Sequence, residues 1–318
     1  MTFAPITTEQ RLARYSGETQ IPVDQLTLVV AKSALIRHLA ADPVTRERFV
    51  VKGGTLLYHA YRGPRVSFKD VDFAQPSTDR MGSDQLAADE RQRELEAEII
   101  EKMTVDTPEF QLRVGEGTIK LDLTQMVEVT RAPFTITGLR RHGNMKLTVS
   151  VRESERIGAP ATVSYTDELL EGEQTFDVAG LSIEELAAEK IIGWSLRGLP
   201  KHYVDLAIIG HRYGTEMDQV VMTEILAEKV RRERAHPELL KSYNYHRVRT
   251  VGDLVRRFDT PELAGVMHDR KYAAKIGDEI VLDDSSERGI AGLESASQVK
   301  DYVRTGLGAT LDELKAGE

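Results

Sequence analysis

Apolar and polar positions follow two periods along this chain, and each change of period marks an element. Residues 23–41, VDQLTLVVAKSALIRHLAA, repeat apolar positions at spacings of three and four, which predicts a helix that Asp42-Pro43 ends. FVVKG (49–53) predicts a short buried strand, and TLLYHAYR (55–62) a helix opening from the glycine turn. KDVDFA (69–74) alternates polar and apolar and predicts another strand. SDQLAADERQRELEAEIIEKM (83–103) reads as a charged helix, and FQLRVG (110–115), TIKLDLTQ (118–125) and MKLTVSVR (145–152) as alternating strands. Near 176 the texture changes. LSIEELAAEKIIGWSLRG (181–198) predicts a strong helix, with Ser182 and Glu185 spaced for a capping box, and helical patterns run on to about 275. These elements predict an α+β chain: residues 1–175 with a mixed sheet, then 176–318 mainly helical.

Composition narrows this only a little. With 318 residues, 41% of them apolar, a sizeable core and two domains are expected. There is no cysteine, which excludes disulfides and thiolate metal sites. No apolar run reaches the ~18–20 residues of a bilayer span, and the first residues lack the shape of a signal peptide. A soluble cytoplasmic protein with no membrane partner is expected.

The net charge of −9 is unevenly spread. Acidic residues gather at 89–102 and after 278, basic ones at 229–234, 241–249, 256–257 and 269–275, interleaved with Tyr243, Tyr245 and Tyr272. Cations for phosphates and rings for unstacked bases suit a single-stranded RNA end; a solvated helical face with core tyrosines fits the same pattern.

The candidate chemistry begins at VVKGGTLLYHAYRGPRVSFKDVDF, residues 50–73. Side chains two apart in a strand share a face, so Asp70 and Asp72 project together while Val71 and Phe73 enter the core. Two carboxylates that close repel unless a cation sits between them, and Mg²⁺ suits one or two carboxylates plus phosphate oxygens. Asp122, on the polar face of TIKLDLTQ with Lys120, offers a third carboxylate, or is an ordinary solvent-facing residue. Gly53 and Gly54, between strand and helix, leave backbone N–H groups for an anion. This is no Walker loop, since no Gly-Lys-Ser/Thr follows.

Three further residues stand out. Lys190 falls among Ala187, Ile191 and Trp194 on an apolar helix stripe, where an ammonium needs an anion, a triphosphate or a carboxylate, unless it snorkels outward. Asp205 shares a face with Ile208 and Ile209 and points inward, or pairs with Lys201 one turn earlier. Arg65 either grips a phosphate or is a turn residue after Gly63-Pro64.

The segment KGGTLL…R.S..DVDF resembles the nucleotidyltransferase superfamily and, more narrowly, the AbiEii/AbiGii toxins, including the mycobacterial MenT toxins. AAEKIIGWSLRGLPKHYVDLAII (187–209) resembles the family's downstream lysine and Lys-x-x-x-Asp-Leu segment. Two positions depart from it: Phe68 stands where the family has Ser/Thr, with Ser67 one earlier, and His202 stands in place of an acid. The resemblance implies a nucleotidyltransferase-like N-terminal domain and a toxin restrained by a separate antitoxin. It also implies transfer of a nucleotide from an NTP to the 3′ acceptor end of tRNA, which blocks aminoacylation and growth. Asp70, Asp72 and Asp122 would hold Mg²⁺ (or Mn²⁺), with Asp122 also a candidate base. Gly53, Gly54, Arg65 and Lys190 would meet the nucleotide, Lys190 on its phosphates, and Asp205 would orient Lys190. Two alternatives keep the fold: a catalytically silent nucleotide- or RNA-binding module acting by sequestration, and nucleotidylation of a protein or small molecule.

Overall fold

The computed structural model describes residues 8–67, 70–75, 85–121, 126–150, 157–170, 175–234, 250–258, 281–282, 289–291, 293 and 296–316. It divides into two units. The first comprises Met1–Ala60, Ser67–Glu153 and Pro160–Leu181; the second comprises Tyr61–Val66, Ser154–Ala159 and Ser182–Glu318.

The first unit is built on a mixed sheet of nine strands among the described residues. In chain order these are β1 (Val50–Lys52), β3 (Asp70–Ala74), β4 (Val105–Asp106), β5 (Phe110–Leu112), β6 (Ile119–Leu121), β7 (Met126–Ile136), β8 (Arg141–Ser150), β9 (Ala161–Thr166) and β10 (Thr175–Gly180), with β2 (Arg65–Val66) assigned to the second unit. The spatial order is β4-β5-β7-β8-β3-β1-β10-β9, with β6 on β7. β3 lies centrally, antiparallel to β1 and parallel to β8.

Helices α1 (Glu9–Thr19), α2 (Val23–Ala40), α3 (Pro43–Arg48), α4 (Gly53–His59) and α5 (Gln85–Met103) complete the unit. Helix α2 forms as its periodicity predicts, but eleven of its eighteen residues are buried, so it is a core helix rather than a one-faced surface one. Val71, Phe73, Leu147 and Val149 are fully buried, and Phe49 meets Phe73 edge-on with ring centroids 6.1 Å apart.

Strand β7 falls where the sequence pattern predicts no strand. Its burial alternates through Val127 and Val129, then resumes one position out of phase at Ala132, Phe134 and Ile136. A bulge between Val129 and Ala132 causes the shift. Pro133 then falls on the exposed face, one residue past the last β5 pair at Leu112–Phe134, and its carbonyl accepts from Arg113 N at 3.0 Å.

The second unit is mainly helical in its described residues: α6 (Ile183–Arg197), α7 (Pro200–Tyr213), α8 (Gln219–Arg234), α9 (Val251–Phe258) and α10 (Ala296–Ala316). β2 pairs there with β11 (Val281–Leu282). Ser182 caps α6, its hydroxyl accepting from Glu185 N at 3.2 Å. The expected box closes only halfway, because the Glu185 carboxylate turns elsewhere. It accepts from Ile157 N at 2.7 Å and pairs with buried Lys229 at 2.9 Å.

Helices α7 and α10 meet backbone to backbone. A Cβ on Gly306 would lie 2.3 Å from Gly210 Cα, so only glycine permits that approach. Among the described residues no helix is long and apolar enough to cross a membrane.

Candidate active site

The sheet unit brings the aspartate pair against the glycine turn. In β3, Asp70 and Asp72 are half-buried while Val71 and Phe73 are fully buried, so the two carboxylates share the outward face. Asp72 pairs with Lys52 of β1 on one side and Thr148 of β8 on the other. Directly after Lys52 the chain turns at Gly53, whose φ of +71° is a left-handed conformation that L side chains rarely adopt. A Cβ there would stand 2.5 Å from Asp72 Oδ2, so glycine is demanded by space as well as by backbone. No side chain caps the start of α4 at Lys52. Asp72 therefore packs directly on the Gly53 turn, with Gly54 buried behind it.

The approach to β3 is held by a residue the motif reading passed over. Lys32 of α2 is completely buried, and its ammonium donates to Ser67 O at 2.6 Å and Asp70 O at 2.7 Å. The signal was present: a lysine inside VVAKSALI is as uncomfortable as Lys190 on its stripe.

The helical unit brings three other candidates together. Asp205 of α7 has no exposed surface, and Lys190 of α6 ends 2.8 Å from its Oδ2. Arg65 of β2 is also buried; its Nε donates to Asp205 Oδ1, and its Nη2 to Oδ2 at 2.9 Å. Burial alone would raise the Asp205 carboxyl, but the adjacent Arg65 and Lys190 cations override it and hold the group well below the usual carboxylate range. Asp205 is thus a shared anchor for two cations from different elements. Its partners are not the Lys201 of the neighbouring turn, and Lys190 does not snorkel.

The donor set fits a hard divalent cation modestly. Among the described residues no group of three or more His, Asp or Glu could hold a metal, and Asp122 lies outside them. Two same-face carboxylates leave most coordination positions to phosphate oxygens and water, the pattern Mg²⁺ favours. Of the basic stretch, Lys229 is buried on Glu185, and Arg231 and Arg232 both donate to Glu228. Those two arginines hold the Glu228 carboxyl down at about 2. Residues 235–249 and 259–280, with Tyr243, Tyr245 and Tyr272, lie outside the described residues.

A strand, a Gly-Gly turn opening a short helix, and an adjacent strand with two outward aspartates form the core arrangement of a nucleotidyltransferase fold. The comparisons with known proteins agree with that class. The chain belongs to the AbiEii family: the model for nucleotidyl transferase AbiEii toxins of type IV toxin–antitoxin systems matches residues 34–278. Among solved structures it is similar to MenT4, a nucleotidyltransferase toxin from Mycobacterium tuberculosis. The two share 16% identity over 96% of this chain and 91% of that one, with a TM-score of 0.57, a likeness of fold. JHP933 from Helicobacter pylori aligns at 13% identity over 94% of this chain and all of that one, with a TM-score of 0.45. No curated protein matches in sequence.

Proposed function

We propose that this nucleotidyltransferase toxin moves the nucleotidyl group of an NTP onto the 3′ acceptor end of a tRNA, using Mg²⁺, or Mn²⁺ in its place, and that a cognate antitoxin restrains it. The observation that carries the reading is the seating of Asp72 Oδ2, with Asp70 on the same face, against the turn that only Gly53 can make. A divalent cation held by Asp70 and Asp72 would supply positive charge to offset what develops on the nucleotide phosphates. Asp70 and Asp72 supply its ligands, and Gly53 and Gly54 are carried over from the family pattern as the turn that meets the nucleotide phosphates, packed here directly against Asp72. The acceptor 3′-hydroxyl oxygen bonds to the α-phosphorus, the bond to the β-phosphate bridging oxygen breaks, and pyrophosphate departs. The hydroxyl proton passes to a carboxylate, for which Asp122 is the candidate. Lys190 and Asp205 are carried over from the family pattern as residues that activity needs; their ion pair supports Asp205 as the group that orients Lys190. Arg65 enters through that same carboxylate.

Labelled NTPs, supplied one at a time with total tRNA and Mg²⁺, test the reading. Label should move to RNA with at least one nucleotide and be lost in both Asp70→Ala and Asp72→Ala. No transfer with any of the four, by protein shown to be folded, refutes it. Label recovered on protein or on a small molecule keeps the enzyme and changes the acceptor.

A further inference from the structure

Asp70 opens β3, and among the described residues it has a strand neighbour on one side only. Its Cα pairs with Lys146 of β8. On the other side β1 ends at Lys52, opposite Asp72, and the chain leaves the sheet at Gly53. A terminal strand residue with one neighbour frays readily, and a frayed backbone would let the carboxylate leave the face it shares with Asp72. The Asp70 carbonyl is nonetheless held. Lys32 Nζ donates to it at 2.7 Å and to Ser67 O at 2.6 Å, and Thr55 Oγ1 lies 3.4 Å away. An ammonium with no exposed surface is costly to bury, and here its partners include two backbone carbonyls beside the carboxylate strand.

We propose that Lys32 is a positioning residue for metal binding. It stands in for the missing strand neighbour, pins the backbone at Ser67 and Asp70, and so keeps the Asp70 carboxylate beside that of Asp72. It touches neither metal nor nucleotide. This rests on the reading that the aspartate pair holds a divalent cation.

Calorimetric titration of the full chain with Mn²⁺ alone, with no nucleotide or turnover, tests it. Lys32→Met should weaken Mn²⁺ binding by ~10–100-fold, the usual scale for a group that orients a metal ligand. Lys32→Arg, which keeps a cationic donor, should recover part of that loss. In an Asp70→Asn background Lys32→Met should add nothing further, because its effect runs through Asp70; a merely structural lysine would weaken both backgrounds alike. If Lys32→Met does not fold, Lys32→Gln, which keeps one donor, is read the same way. Unchanged Mn²⁺ affinity in a folded Lys32 variant, or equal losses in the two backgrounds, overturns the inference alone. A wild-type chain that binds no Mn²⁺ overturns the metal reading, and this inference with it.

Discussion

A methyl group on Gly53 would press on Asp72 Oδ2 from a backbone whose φ of +71° costs any L residue ~1–2 kcal/mol. Gly53→Ala is therefore expected to abolish nucleotidyl transfer while lowering stability only modestly, checked by assaying turnover and thermal unfolding on one preparation. Asp205→Asn should also abolish transfer, but with a large loss of stability, because the carboxylate anchors both Lys190 and Arg65. Removing one partner of a buried ion cluster costs ~3–5 kcal/mol, readable from urea midpoints. The pH dependence follows from the lowered carboxyl. In the unfolded chain Asp205 titrates near ~3.9, and folded it titrates well below that. Between those values the unfolded chain binds more protons, so the contribution is fully present above about pH 5 and lost as acid approaches the folded pKa. Asp205→Asn should flatten the acid limb of a stability–pH curve. Much of this was legible from residues alone. An aspartate on an apolar face and a lysine on an apolar stripe each announce an ion partner, but spacing cannot say which one, and Arg65 lies 140 positions from Asp205.

Elements were legible where one period persisted. The alternation in DVDFA set the register of β3, and the capped pattern of α6 fixed its start at Ser182. Strand β7 escaped because a bulge reverses its alternation midway and Pro133 argues against a strand. Strand β9, at the edge of the sheet, and its neighbour β10 also went unread. The last forty residues showed no readable role and fall wholly beyond the family match, which ends at 278. Within the helical unit they nonetheless touch two of the three elements that carry the Asp205 cluster: β11 pairs with β2, where Arg65 sits, and α10 packs on α7, where Asp205 sits. Gly306→Val should force α7 and α10 apart and cost ~1–3 kcal/mol or more. A lowered urea midpoint in the full chain is the measurement, and an unchanged one would mean the helices do not depend on that approach.

For the whole molecule, mean charge and length said little, whereas the order of motifs said a great deal. The chain visits the helical unit briefly at Tyr61–Val66, between the glycine turn and the aspartate strand, before returning to the sheet. No composition or periodicity measure exposes such an excursion, which is why the α+β class was readable and the path was not. Chelation offers the simplest test at this scale. EDTA should abolish transfer in the intact protein and added Mg²⁺ or Mn²⁺ should restore it, while the unfolding temperature changes little because two half-exposed carboxylates contribute little to folding.

The glycine contact between α7 and α10 bears on descent as well as on packing. Where main chain rests on main chain, neither partner can acquire a side chain unless the other helix withdraws, so Gly210 and Gly306 should be inherited together, ninety-six positions apart by their numbers. Relatives lacking one of them should lack both, and their terminal helices should lie farther from the helix bearing the buried aspartate.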